Sequence, residues 1–254
     1  PGHKDRVAGF VLSDFATADQ TWLGDMMRGI AIVLMFIFHF SFDLNYFGFI
    51  HIQFLEDPFW LNFRRFIVSS FLLLVGISLY LSTRKNINWH SWFKRMSLLI
   101  VYAGLVSLSS WMMFPDTYIY FGILHFIALA SILGLLFTRL YWLNLLLGIS
   151  LILLDINYSN ALFNAPHLQW FGLMTHLPAT EDYVPLLPWF GVVLIGMFIG
   201  KTLFDDNPMA WLSWNSPQPI ARWLGFGGRH SIHIYMLHQP VFIGFLSLWF
   251  WMVN

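Results

Sequence analysis

The chain has 254 residues, of which 58% are hydrophobic and 19% aromatic but only 10% charged, whereas an ordinary soluble domain carries about 25% charged residues. That composition excludes a water-soluble globule. Thirteen Lys plus Arg balance thirteen Asp plus Glu, so no basic excess points to nucleic acid, and the lack of any Cys excludes disulfides, thiolate metal sites and a cysteine acyl-enzyme.

Residues 1–24 are polar and mixed, without the basic-then-apolar build of a signal peptide, and are expected to form a cytoplasmic segment ahead of a first apolar run that stays in the mature protein. Apolar stretches follow at 29–42, 66–83, 96–115, 117–138, 140–154, 183–200 and 230–254. A helix needs roughly 20 residues to cross the hydrocarbon. The first stretch reaches that length by including 26–28 and 43–46, and the fifth, with 15 residues, is the shortest. The expected fold is therefore an all-α integral membrane protein, a bundle of about seven transmembrane helices forming one domain over 25–254.

Lys and Arg concentrate in cytoplasmic loops, while Asp and Glu contribute little to orientation. Lys4, Arg6 and Arg28 precede the first span; Arg84, Lys85, Lys94 and Arg95 join the second and third; Arg139 separates the fourth and fifth; Lys201, Arg222 and Arg229 lie between the sixth and seventh. The alternate loops, 47–62, 115–116 and 155–182, contain neither residue. The N terminus is thus expected in the cytoplasm and the C terminus outside, with Arg64 and Arg65, at the outer end of the second span, as the exception. The 155–182 segment is too polar to span and too apolar for a free linker, and is expected to form an extracytoplasmic lid or an interfacial helix; plain packing at the membrane surface is the competing reading.

Ionisable groups inside a bilayer cost a few kcal/mol each on insertion scales, so each one raises the question of function. On the first span, eleven steps of about 100° bring His39 to within about 20° of the face of Arg28 and about 16 Å deeper. Asp43 follows at i+4, where it can reach the imidazole, fix its tautomer and stabilise its protonated form, as a general base requires. The competing readings are a satisfied buried histidine for His39 and a snorkelling anchor for Arg28. The last span carries Arg229, His230, His233, Tyr235, His238, Gln239 and Pro240; His238 lies about 13 Å beyond Arg229, and Pro240 should kink the helix. His125 in the fourth span reads as an interhelical bond or a pocket residue. No His/carboxylate spacing of the HExxH kind occurs, so no metal is expected. Trp residues near the span ends read as an interfacial belt.

An Arg, ten residues, then His on the first helix resembles the signature of the transmembrane acyltransferase superfamily. The segments Asp25-Met-Met-Arg28-Gly29, Met35-Phe-Ile-Phe-His39-Phe-Ser-Phe-Asp43-Leu, Phe121-Gly-Ile-Leu124, Pro185-Leu-Leu-Pro-Trp-Phe-Gly191 and Gly228-Arg-His-Ser-Ile-His-Ile-Tyr-Met-Leu-His-Gln-Pro240 look like the bacterial relatives of heparan-alpha-glucosaminide N-acetyltransferase. The resemblance implies an inner-membrane enzyme that moves an acetyl group from cytosolic acetyl-CoA to an amine or hydroxyl of an extracytoplasmic sugar or glycan. From their positions along the helices, Arg28 and Arg229 are expected at the CoA phosphates, His238 and Gln239 along the donor path, and Arg64, Arg65 and His125 toward the acceptor; a headgroup anchor is the competing reading for Arg64 and Arg65. His39, oriented by Asp43, would act as general base or transient acyl carrier. In the lysosomal branch, however, the position matching His39 looks to be Asn and the catalytic His falls close to where His51 stands. The expected partners are acetyl-CoA, the glycan acceptor and lipid, and a homodimer is compatible with them. The rival reading is a transporter with His39, Asp43 and His238 as a proton relay, whose sign would be interrupted helices paired across two related halves.

Overall fold

Long apolar helices account for most of the computed structural model, which describes residues 18–54, 56–205 and 216–253. The polar opening segment 1–17, with Lys4 and Arg6, lies outside the described residues. Eight α-helices follow in order: α1 (Ala18–Tyr46), α2 (Pro58–Thr83), α3 (Trp89–Met113), α4 (Ile123–Leu133), α5 (Trp142–Asn157), α6 (Leu186–Phe204), α7 (Pro219–Arg229) and α8 (Ser231–Val253). No strand occurs among the described residues.

Five helices are long and apolar enough to cross a membrane: α1 from Trp22, α2, α3, α6 and α8. The expected fourth and fifth spans are shorter. Residues 117–122 are not helical, so α4 begins at Ile123 and ends in a 3-10 turn at Gly134–Phe137, and α5 has 16 residues. Large apolar side chains point outward all along these helices, with Met112, Leu136 and Trp251 each more than 70% exposed. That is the surface expected where lipid, not water, is the solvent. Hydrocarbon offers no hydrogen-bond partner, so polar side chains in the spans bond within the protein, some to their own helix: Ser41 donates to the Ile37 carbonyl at 2.8 Å and Ser78 to that of Leu74 at 2.6 Å.

The chain divides into two compact units. The first comprises the N-terminal part through Phe71 together with everything from Ala210 onward; the second is Leu72–Met209. In the first unit α1 packs along α7 and against α8. The α1–α7 contact is close because both helices present glycine. A Cβ on Gly29 would collide with the Leu224 carbonyl, and one on Gly228 with the carbonyl of Asp25. Sequence reading treats 201–229 as a loop; instead it contains the amphipathic α7, begun by Pro219 at its first turn. Gly225, Gly227 and Gly228 each disfavour a helix by about 1 kcal/mol relative to Ala, and close packing on α1 overrides that propensity.

In the second unit α6 is the central element, packing on α5, on α4 and on the C-terminal half of α2. Gly148 and Gly191 face one another so closely that a Cβ on either would stand 2.7 or 2.6 Å from the other's carbonyl oxygen. The expected outer segment is not an interfacial helix. Past α5 it holds two short 3-10 turns, Ala161–Asn164 and Gln169–Phe171, in otherwise irregular chain. Tyr120 and Tyr183 tie it down, donating to Gln169 Oε1 and to the Gln169 carbonyl, both at 2.6 Å. Asp182 accepts from the Ile123 N–H at 2.9 Å, capping the start of α4.

Candidate active site

Two features of the first unit lie on the paired helices α1 and α8 and at the α7 end, and both are built from ionisable groups. At one end Asp25, 2% exposed, accepts from Arg28 Nη1 at 2.8 Å, one turn along α1. Arg229, the last residue of α7, brings Nη1 to 3.9 Å from the other carboxylate oxygen. Arg28 and Arg229 therefore share one buried counter-ion, which sequence reasoning left out of the site. The i,i+3 spacing of Asp25 and Arg28 was the available signal. The two arginines differ in access, since the Arg28 side chain is 15% exposed and that of Arg229 42%.

About four turns further along α1 the second feature joins His39 and Asp43 to His238 and Gln239 of α8. The imidazoles of His39 and His238 stand 5.0 Å apart, edge to face. Gln239 Nε2 donates to Asp43 Oδ1 at 2.7 Å; a carboxylate oxygen can only accept here, so the amide orientation follows. The expected bond between Asp43 and the His39 ring is not made. Asp43 Oδ1 is taken by Gln239, and Oδ2 has no hydrogen-bond partner among the described residues. The reason is tertiary: α8 packs against this face of α1 and supplies an amide nearer to the carboxylate than the imidazole one turn away. Pro240 leaves α8 continuous from Ser231 to Val253.

Four buried side-chain polar atoms lack a hydrogen-bond partner among the described residues, and three of them belong to this cluster: Asp43 Oδ2, His238 Nε2 and Gln239 Oε1. Each such atom costs about 1–3 kcal/mol when left unsatisfied, so their concentration within one turn of two paired helices singles this cluster out as the candidate site. The surroundings are aromatic. Phe36 stacks on His238 at 5.7 Å, and Phe242 meets it edge-on at 5.8 Å.

The other expected residues are placed differently. His51 is exposed in the α1–α2 loop. That loop does fold back, with the Ile52 N–H donating to Asn45 Oδ1 at 2.7 Å and buried Phe54 seated 4.5 Å from Trp60, yet it carries Phe54 inward and leaves His51 outside. Arg64 and Arg65 are exposed in the first turns of α2, with Arg65 donating to Asn62 at 3.2 Å. His125 belongs to the second unit and is satisfied there. Ser107 Oγ donates to the Ile119 carbonyl at 2.6 Å, which leaves it to accept from His125 Nε2 at 3.1 Å, while His125 Nδ1 accepts from the Gly122 N–H at 3.3 Å. An apolar groove of about 540 Å³ runs beside it, lined by Ile100, Ala103, Phe121, Leu129 and Trp170. With both nitrogens committed, the His125 ring links α3 and α4, the interhelical bond that is one of its two sequence readings.

Residues 21–240, which contain both clusters, match the family described as heparan-alpha-glucosaminide N-acetyltransferase, catalytic. The chain belongs to this family. It is thus an integral membrane protein of a transmembrane acetyltransferase family, as its five membrane-length helices require. Short stretches are also similar to peptidyl-tRNA hydrolases. The enzyme of Cereibacter sphaeroides (strain ATCC 17029 / ATH 2.4.9) is 74% identical over 31 residues, 12% of this chain and 14% of the hydrolase. That of Roseobacter denitrificans is 68% identical over 31 residues, 12% and 13%, and that of Dinoroseobacter shibae 70% identical over 30 residues, 12% and 13%. The chain spans about one-seventh of the length of these curated relatives, far less than a domain of typical size. No solved structure matches the chain significantly.

Proposed function

We propose that the protein takes an acetyl group from cytosolic acetyl-CoA and passes it to an amine or hydroxyl of an extracytoplasmic sugar or glycan, with a histidine of the His39–His238 pair as general base. The observation that carries the reading is the buried cluster of His39, Asp43, His238 and Gln239, with its three unpartnered polar atoms, in a chain of this family. A base buried among aromatic rings works where water does not compete for the acyl group. With no Cys in the chain, histidine is also the strongest nucleophile available for the alternative covalent route.

The Asp25–Arg28–Arg229 group supports binding of the anionic end of CoA. Arg229, the more exposed of the pair, reaches the phosphates, and Arg28 holds Asp25 and so places Arg229. The charged end of the donor then sits on the cytoplasmic side, and the histidines stand partway across, in line with the distribution of Lys and Arg along the chain. Arg64 and Arg65, at the other end of the first unit's helices, are suited to an acidic sugar or a lipid headgroup.

Purified protein in detergent, given acetyl-CoA labelled in the acetyl carbons and glucosamine or a glucosaminide, is expected to yield labelled N- or O-acetyl sugar together with free CoA thiol. Absence of transfer to any amino- or hydroxy-sugar, in protein that melts as one species and binds no CoA by calorimetry, would refute the proposal.

A further inference from the structure

The two ring nitrogens of His238 have different surroundings. Nδ1 lies 2.5 Å from the carbonyl oxygen of Tyr235, one turn earlier on α8. A carbonyl only accepts, so Nδ1 carries the hydrogen and the neutral ring keeps its lone pair on Nε2. That nitrogen is buried and has no hydrogen-bond partner among the described residues. The ring cannot swing away from this arrangement without leaving its carbonyl, and it is walled by Phe36, Phe242 and Tyr235, with His39 at 5.0 Å.

Among the described residues of the first unit, His39, His230 and His51 lack this combination. Among the described residues no hydrogen bond sets the tautomer of His39, which meets the rings of Phe38 and His238. His230 makes the same kind of carbonyl bond, Nδ1 to Phe226 O at 2.9 Å, but at the exposed end of α7. His51 stands outside the helices. The carboxylate that sequence reasoning pairs with a catalytic histidine is bound instead to Gln239, the residue next to His238.

We infer that His238, through Nε2, is the group that takes the proton from the acceptor, and that His39 flanks it as a positioning residue. This deepens the acetyl-transfer reading above and rests on it. As the acceptor's nitrogen or oxygen bonds to the acetyl carbonyl carbon, Nε2 takes the acceptor's proton. The carbon–sulfur bond breaks, and the imidazolium returns that proton to the departing thiolate, so that free CoA thiol leaves and the ring is neutral again. Throughout, the Nδ1–H stays on the Tyr235 carbonyl, which steadies the positive ring as the buried carboxylate of a catalytic triad would.

The test has two arms. Nitrogen NMR on protein labelled with ¹⁵N-histidine, with the His238 signal assigned by its loss in His238→Gln, is expected to show the Nδ1–H tautomer; the Nε2–H tautomer overturns the inference whatever the enzyme's activity. In the second arm, wild-type transfer from acetyl-CoA to glucosamine is measured first, and its absence counts against the acetyl-transfer reading while the tautomer measurement stands apart. Given wild-type transfer, His238→Gln should lower kcat by roughly a hundredfold to ten-thousandfold with CoA affinity within about threefold of wild type, and His238→Gly should regain turnover with added imidazole. His39→Gln should lose roughly tenfold, without imidazole rescue. Turnover of His238→Gln within about tenfold of wild type, or a CoA-binding His238→Gly variant that imidazole does not rescue, would overturn the assignment.

Discussion

Gly227 and Gly228 are neighbours on α7, and replacing each in turn by Ala separates helix propensity from packing. Each substitution gains up to about 1 kcal/mol of intrinsic helix preference. A Cβ on Gly227 meets nothing within 4 Å, whereas one on Gly228 would stand 2.9 Å from Asp25 Cα and collide with the Asp25 carbonyl. Carbon atoms pack at about 3.5–4.0 Å, so α7 must retreat from α1 by more than about half an ångström. Overpacking of this kind costs about 1–3 kcal/mol, and the retreat also draws Arg229 away from Asp25, already 3.9 Å distant. The propensity gain is common to both variants, so their difference isolates the steric term. Gly228→Ala should melt roughly 2–12 °C below Gly227→Ala by differential scanning fluorimetry in detergent, at 2–4 °C per kcal/mol for a chain of this size. Affinity for CoA should fall in Gly228→Ala alone. Equal melting temperatures, or the lower one in Gly227→Ala, would show that α7 does not pack on α1 through Gly228.

Arg229→Ala should weaken CoA binding about tenfold by calorimetry with little change in melting temperature, since a hydrogen bond to a charged group contributes about 1.5–3 kcal/mol. Arg28→Ala should act on the fold instead, costing about 3–5 kcal/mol by stranding the buried Asp25 carboxylate; the opposite pattern would exchange their roles. His51→Ala should keep turnover within about threefold of wild type because the side chain is exposed, while His39→Ala should lower it about tenfold or more. Loss of all turnover in the first variant alone would move the chemistry to the loop. Because the chain has no Cys, a Cys introduced at Asn164 should react with an impermeant maleimide from outside the cell and one at Lys85 only after the cytoplasmic face is exposed, and the reverse would invert the topology.

The membrane class, five of the seven expected spans and the placing of Arg28, His39 and Asp43 on one helix were legible in the sequence, because hydropathy and the 100° repeat are local properties of a helix; the expected fourth and fifth spans proved shorter. The family was legible too, carried by ordered motifs along 25–244. What stayed hidden depended on which helix lies against which. Asp43 and Gln239 are 196 residues apart, and nothing local announces that this amide would reach the carboxylate ahead of the neighbouring imidazole. The helix over Pro219–Arg229 is disfavoured by its own glycines, yet one of them, Gly228, is what allows α1 to approach. His125 and His238 look alike as buried histidines on apolar helices. In the folded chain Ser107 and Gly122 occupy both nitrogens of the first, while the Tyr235 carbonyl occupies only one nitrogen of the second. Residue type and spacing placed histidines in the bilayer; the partners supplied by packing decided which one keeps a free lone pair, because a polar atom in hydrocarbon has only the neighbours that the fold brings to it.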